Sequence, residues 1–284
     1  MKHKKAIIIS TVMIFVVAAI VALGWLFRAR YFIVNDLNGK GDDSAESELY
    51  TFVNDALENT YKGKWMFTFN ETQIKDLLAK NPYVEVIEIK KSVPDKVEVT
   101  FAEREERFFI VDSDAGYVTD VNYNLLRKVE NVAEADDSNL VKVIASGVGL
   151  DFSSIVVGKK IAFEEENLFG SMTEIFDSFT DKLNFIESVV IDGEKDLLEY
   201  KTQTGVIIDV SLSVAGKDKH SADERKATKE RICAKVPEIE NIYESLDERC
   251  KRSGYIKVYE MDDKTVKVNY EPKTEIADEE EENA

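Results

Sequence analysis

The sequence predicts an α+β protein: a single transmembrane helix, then a small β-α-α-β-β unit, then a second, mostly antiparallel β-rich domain with helices. Three observations predict it. Residues 6–27 form one long uncharged apolar run. The stretch that follows, to about residue 105, passes from strand to helix periodicity and back to strand periodicity. Beyond it, short alternating segments separated by turn residues dominate up to residue 270. The chain therefore divides into a short cytoplasmic tail at 1–5, the transmembrane helix at 6–27, a first domain at 28–105, a β domain at 106–270, and a disordered acidic tail at 271–284.

The apolar run reads AIIISTVMIFVVAAIVALGWLF, with Ser10 and Thr11 as its polar side chains. As a helix it would be about 33 Å long, against a hydrocarbon core of roughly 30 Å. Lys2, Lys4 and Lys5 precede it, and Arg28 and Arg30 follow it. This balance favours a single-pass placement in the cell membrane, with a cytoplasmic N-terminus and the acidic bulk outside. Trp25, Arg28 and Arg30 are then the membrane-interface residues. A cleaved signal peptide ending near Ala22-Leu23-Gly24 is the competing reading, but the run exceeds the usual apolar length of about 7–15 residues.

Within 31–104, Tyr31 to Leu37 is β-like. Between Ser44 and Asn59, Leu49, Phe52, Val53, Ala56 and Leu57 mark one face of a helix. Gly63 opens a turn into an aromatic stretch. Asn70 followed by Gln73 is a capping-box pattern for a short helix carrying Ile74, Leu77 and Leu78. Asn81-Pro82 ends that helix. Tyr83 to Lys91 reads as a strand whose alternation slips between Val86 and Ile87. After a turn at Ser92 to Asp95, Lys96 to Ala102 alternates cleanly.

In 106–270, Phe108–Val111, Leu125–Val129 and Leu140–Ile144 read as strands, and Glu164 to Leu183 as a helix. Phe185–Ile191, Leu197–Thr202 and Val206–Leu212 are further strands. Ser221 to Arg249 is helical, with Pro237 either opening a second helix or kinking the first. Tyr255–Glu260 and Thr265–Tyr270 form a final hairpin. The last residues, from Glu271, hold seven acids and one lysine and cannot bury a core.

Charge and motifs exclude several functions. With 37 basic against 55 acidic residues, the net charge is −18, the wrong sign for neutralising phosphates, so no nucleic-acid partner is expected. Cys233 and Cys250 lie beyond disulfide reach of each other in either helical arrangement, which leaves two separate thiols. His3 and His220 have no partner at metal-ligand spacing. GxSxG, HExxH, P-loop and GxGxxG patterns are absent. No catalytic residue, cofactor or metal is expected, and the chain is not read as an enzyme.

The β-α-α-β-β order, with KGKWMFTFN and later NPYVEVIEIKKSVPDKVEVTFAERE, resembles the POTRA domain of the FtsQ/DivIB family of bacterial division proteins. The resemblance rests on Gly63 to Asn70, on Asn81-Pro82-Tyr83-Val84, and on Pro94-Asp95 before a strand ending in Glu103-Arg104-Glu105. It continues into the β domain with Phe108 to Asp112 and an Asp/Gly turn at Asp114-Ala115-Gly116, and covers most of 1–270. It implies a bitopic, non-enzymatic divisome protein at the division septum that helps control septal wall synthesis. Its implied partners are the coiled-coil proteins FtsL and FtsB/DivIC, and septal wall synthases. Carried onto this chain, the docking residues are Tyr255, Lys257 and Tyr259 in one strand and Val266, Val268 and Tyr270 in the next. A last strand at a sheet edge accepts a partner strand through its backbone. The same alternation also suits ordinary core packing. The edge strand Tyr83–Lys91 is the corresponding surface of the POTRA unit for a second protein. The alternative is a membrane-anchored POTRA-containing secretion or chaperone accessory.

Overall fold

The computed structural model describes residues 2–37, 48–112, 115–130, 132, 140–146, 155–161, 168–214 and 222–273, with the side chains of the first helix described from Thr11 onward. The chain divides into two compact units, Met1–Glu105 and Glu106–Ala284.

The first helix, α1, spans Lys2–Leu26. Among the described residues, no helix is long and apolar enough to cross a membrane. This corrects three expectations: the transmembrane helix in the fold class, the single-pass placement with a cytoplasmic N-terminus, and the bitopic form of the function. The POTRA-like unit and the β-rich domain stand without it.

The rest of the first unit builds in the expected order. It comprises β1 (Tyr31–Asp36), α2 (Glu48–Tyr61), α3 (Glu71–Leu78), β2 (Val84–Ser92) and β3 (Lys96–Glu103). The sheet order is β1-β3-β2, with β1 parallel and β2 antiparallel to β3. The predicted helix start at Ser44 lies outside the described residues. The capping box forms: Asn70 Oδ1 accepts from the Gln73 N–H and Gln73 Oε1 accepts from the Asn70 N–H, both at 2.9 Å. The slip in the β2 alternation is a bulge between Val86 and Glu88, which leaves Ile87 51% exposed. Val53 and Leu57 of α2, Ile74 and Leu78 of α3, and Val97, Val99 and Phe101 of β3 fill one core. Trp65 packs on Gly24 so closely that an added Cβ would sit 2.7 Å from its ring.

Among the described residues, the second unit holds one nine-stranded sheet. Its strands are β4 (Phe108–Asp112), β5 (Ala115–Thr119), β6 (Leu125–Val129), β7 (Val141–Ser146), β8 (Ile186–Asp192), β9 (Leu197–Thr202), β10 (Ile207–Val214), β11 (Tyr255–Glu260) and β12 (Val266–Glu271). They lie in the order β12-β11-β10-β9-β8-β7-β4-β5-β6. Three neighbouring pairs, β4/β7, β7/β8 and β10/β11, are parallel, and the rest are antiparallel. The helices are α4 (Leu168–Ser178), α5 (Lys182–Phe185), α6 (Ala222–Cys233) and α7 (Val236–Ser245). Ile175, Phe176, Ile232, Val236 and Ile239 from these helices join Ile208, Val210, Ile256 and Val258 from the strands in a single core.

Three local expectations change. Ala115 and Gly116, predicted as part of a turn, lie inside β5. A Cβ on Gly116 would meet the Phe109 ring at 2.6 Å, so this glycine serves close packing. Of the helix predicted over 164–183, residues 164–167 lie outside the described residues, and the rest is two elements, α4 and α5. The one predicted over 221–249 is also two, with Pro237 in the first turn of α7, where a missing N–H costs no helical bond. Cys233 and Cys250 are free thiols, as the spacing requires. His220 and the tail beyond Lys273 fall outside the described residues, while Glu271 belongs to β12.

Candidate functional site

The six partner-docking residues named from the sequence all fall on the hairpin that ends the nine-stranded sheet. Its turn is tight: Lys264 has φ 65°, its N–H donates to Met261 O at 2.8 Å, and the Met261 N–H donates to Thr265 O at 2.9 Å. Residues of an antiparallel ladder alternate between facing the partner strand and facing away from it. From the bonded pair Met261/Thr265, this alternation turns the backbone groups of Lys267, Asn269 and Glu271 towards Tyr259, Lys257 and Tyr255. The N–H and C=O groups of Val266, Val268 and Tyr270 then face the outer side of β12. Among the described residues no strand pairs with that side.

The side chains divide differently from the backbone. Val266 and Val268 are buried in the core, 6% and 8% exposed. Tyr270 is half-buried against it, and its Oη donates to Ser253 O at 3.0 Å and Cys250 O at 3.2 Å. Its ring lies over Gly254, where a Cβ would meet the hydroxyl at 2.6 Å. Burial first, and then Cys250, pushes its phenol up to about 12. Tyr255, Lys257 and Tyr259 are half-exposed on the opposite face. The six residues thus share a hairpin but not one side-chain surface; what they hold in common is the edge.

On the open face, Lys257 Nζ bonds Glu271 at 2.7 Å, and this bond is the main reason its pKa is raised. Asp209 of β10 lies opposite Lys257 in register. Burial, then Glu199, pushes the Asp209 carboxyl up against the opposing pull of Lys257.

Sequence reasoning missed a polar cluster on the covered face. Glu260 of β11 is 2% exposed and accepts from Thr228 Oγ1 at 2.7 Å and from Arg231 Nη2 at 2.7 and 2.8 Å. Its signal was present: Ile256, Val258 and Glu260 alternate on one face, and the third is an acid.

Of the expected interface residues, Trp25 and Arg30 meet. The guanidinium lies 4.0 Å from the ring centroid and donates to Trp25 O at 2.8 Å. Arg28 instead bridges Trp65 through the backbone. The expected docking edge of the first unit, β2, is a terminal strand of its sheet among the described residues. Among the described residues, no group of three or more His, Cys, Asp or Glu side chains is placed to hold a metal ion.

Residues 53–104, from α2 to just past β3, match the model of the FtsQ-type POTRA domain. The chain is also similar to two proteins named cell division protein DivIB. The one from Clostridium acetobutylicum is 25% identical over 118 residues, covering 41% of this chain and 44% of that protein. The one from Clostridium botulinum is 26% identical over 167 residues, 58% of this chain and 59% of that protein. Together these findings support a cell-division protein of the FtsQ/DivIB family. The chain spans about half the length of the DivIB proteins it matches. The POTRA match lies wholly in the first unit, so the hairpin of the second unit stands outside it.

Proposed function

We propose that this chain is a non-enzymatic binding protein of the cell-division machinery. It receives an extended segment of a coiled-coil division protein of the FtsL or FtsB/DivIC type along the outer edge of β12. The observation that carries the reading is the row of outward backbone groups at Val266, Val268 and Tyr270 on a terminal strand. Such a row gives a partner strand hydrogen bonds without requiring a side-chain pocket. The likeness to DivIB proteins supplies the setting in cell division. The β2 edge of the POTRA unit is the corresponding surface for a second division protein, with septal wall synthases as candidates.

Val268→Pro tests the β12 edge. Its N–H faces outward, so the proline removes a docking donor while leaving the β11/β12 ladder intact. The expected result is a folded full-length chain that binds the purified FtsL–DivIC pair about tenfold or more weakly by titration calorimetry. Wild-type affinity in a folded Val268→Pro chain would place docking elsewhere.

A further inference from the structure

The outer edge of β12 can receive a strand only if the β11–β12 hairpin is held still, and the backbone ladder holds it incompletely. The parallel pairing of β10 with β11 slips between Val210 and Val214, and Glu260 sits at the irregular end, opposite Val214. β12 itself pairs only with β11 among the described residues.

A side-chain clamp fills this gap. Glu260 reaches α6, where Arg231 grips both carboxylate oxygens through Nη2 and adds Nε at 3.2 Å. Thr228, one turn earlier on α6, donates its hydroxyl to the same carboxylate. Both Glu260 and Thr228 are almost fully buried. The helix is fixed in turn, because Lys229 is 3% exposed and bonds Glu174 of α4 at 2.6 Å. A buried carboxylate held by a charged fork and a hydroxyl has one favourable position, so it fixes the strand that carries it.

We propose that Arg231, Thr228 and Glu260 are positioning residues that hold the β11–β12 hairpin, and with it the docking edge, in the geometry a partner strand requires. This rests on the docking reading above and adds a second layer to it, since none of the three need touch the partner. Loss of the clamp lowers the fraction of chains with a formed edge, and apparent affinity falls by that fraction.

The test measures two quantities on the full-length chain: amide exchange at Lys267 and Asn269, whose N–H groups face β11, and affinity for the purified FtsL–DivIC pair. Arg231→Met and Glu260→Gln are expected to speed exchange and to weaken binding by a similar factor, about tenfold for Arg231→Met and less for Glu260→Gln. Removing one partner of a buried pair strands the other, whereas replacing both by apolar residues often restores stability. The double variant Arg231→Met/Glu260→Met is therefore expected to recover both readouts together.

Unchanged exchange in both single variants would overturn the proposal. So would a double variant that regains slow exchange but not affinity. That pattern would mean that Arg231 or Glu260 contacts the partner directly, through the cleft of about 270 Å³ that Thr228, Arg231, Glu260, Asp262 and Lys264 line. If the unaltered chain does not bind the pair, the docking reading fails, and the exchange rates alone decide the clamp.

Discussion

Single residues carry more of this protein's local order than its average composition suggests. Asn70 satisfies the first turn of α3 while Gln73 returns the bond to the Asn70 backbone. Asn70→Ala removes that exchange and is expected to destabilise the first unit by about 1 kcal/mol in chemical denaturation. Asp209 acts in the opposite sense. Burial and Glu199 raise its pKa in the folded chain, so the native state holds the proton more tightly than the unfolded state does. Its favourable contribution is present below the unfolded pKa and is lost as pH rises through the folded value. Asp209→Asn is therefore expected to be more stable than the native chain at neutral pH, with the gap closing as pH falls through the acidic range. A pH series of melting temperatures checks the sign.

At the scale of elements, the sequence was legible wherever the signal is local. The capping box of α3, the bulge in β2 and the limits of β9 can be read from neighbours along the chain. β5 was not legible. Its glycine looks like turn punctuation, and only the Phe109 ring, brought across from β4, shows that Gly116 is there for close approach. The helix over 221–249 was half legible. Proline announced an interruption, but the packing of Ile232, Val236 and Ile239 into one core accompanies its resolution into two helices. In the hairpin, alternation identified Val266, Val268 and Tyr270 correctly as one face of a strand. It left open whether this face is turned into the core, and it did not say that their backbone groups face out.

At the scale of the molecule, each unit has its own buried cluster, one centred on Val97, Val99 and Phe101 and the other on the nine-stranded sheet. Domains with separate cores unfold as separate cooperative units unless they are strongly coupled. Phe101→Ala, at a fully buried site, should cost the first unit about 3–5 kcal/mol. In calorimetry the transition of the first unit is expected to move down by many degrees while that of the second stays in place. A common shift of a single transition would show that the two units unfold together.

The sequence by itself determined the element order of the first unit, the capping box of α3, the acidic balance and the likeness to FtsQ/DivIB proteins. The first two depend on residue types within a few positions of one another, and the acidic balance on composition alone. The tertiary structure alone decided that β12 and β2 end their sheets among the described residues, that Glu260 meets Arg231 across 29 positions, and which faces of the hairpin are covered. It also corrected the reading of the first helix as a membrane span. Periodicity states which residues share a face, but strand order and burial arise from contacts between segments far apart in the chain, where local propensity carries no information.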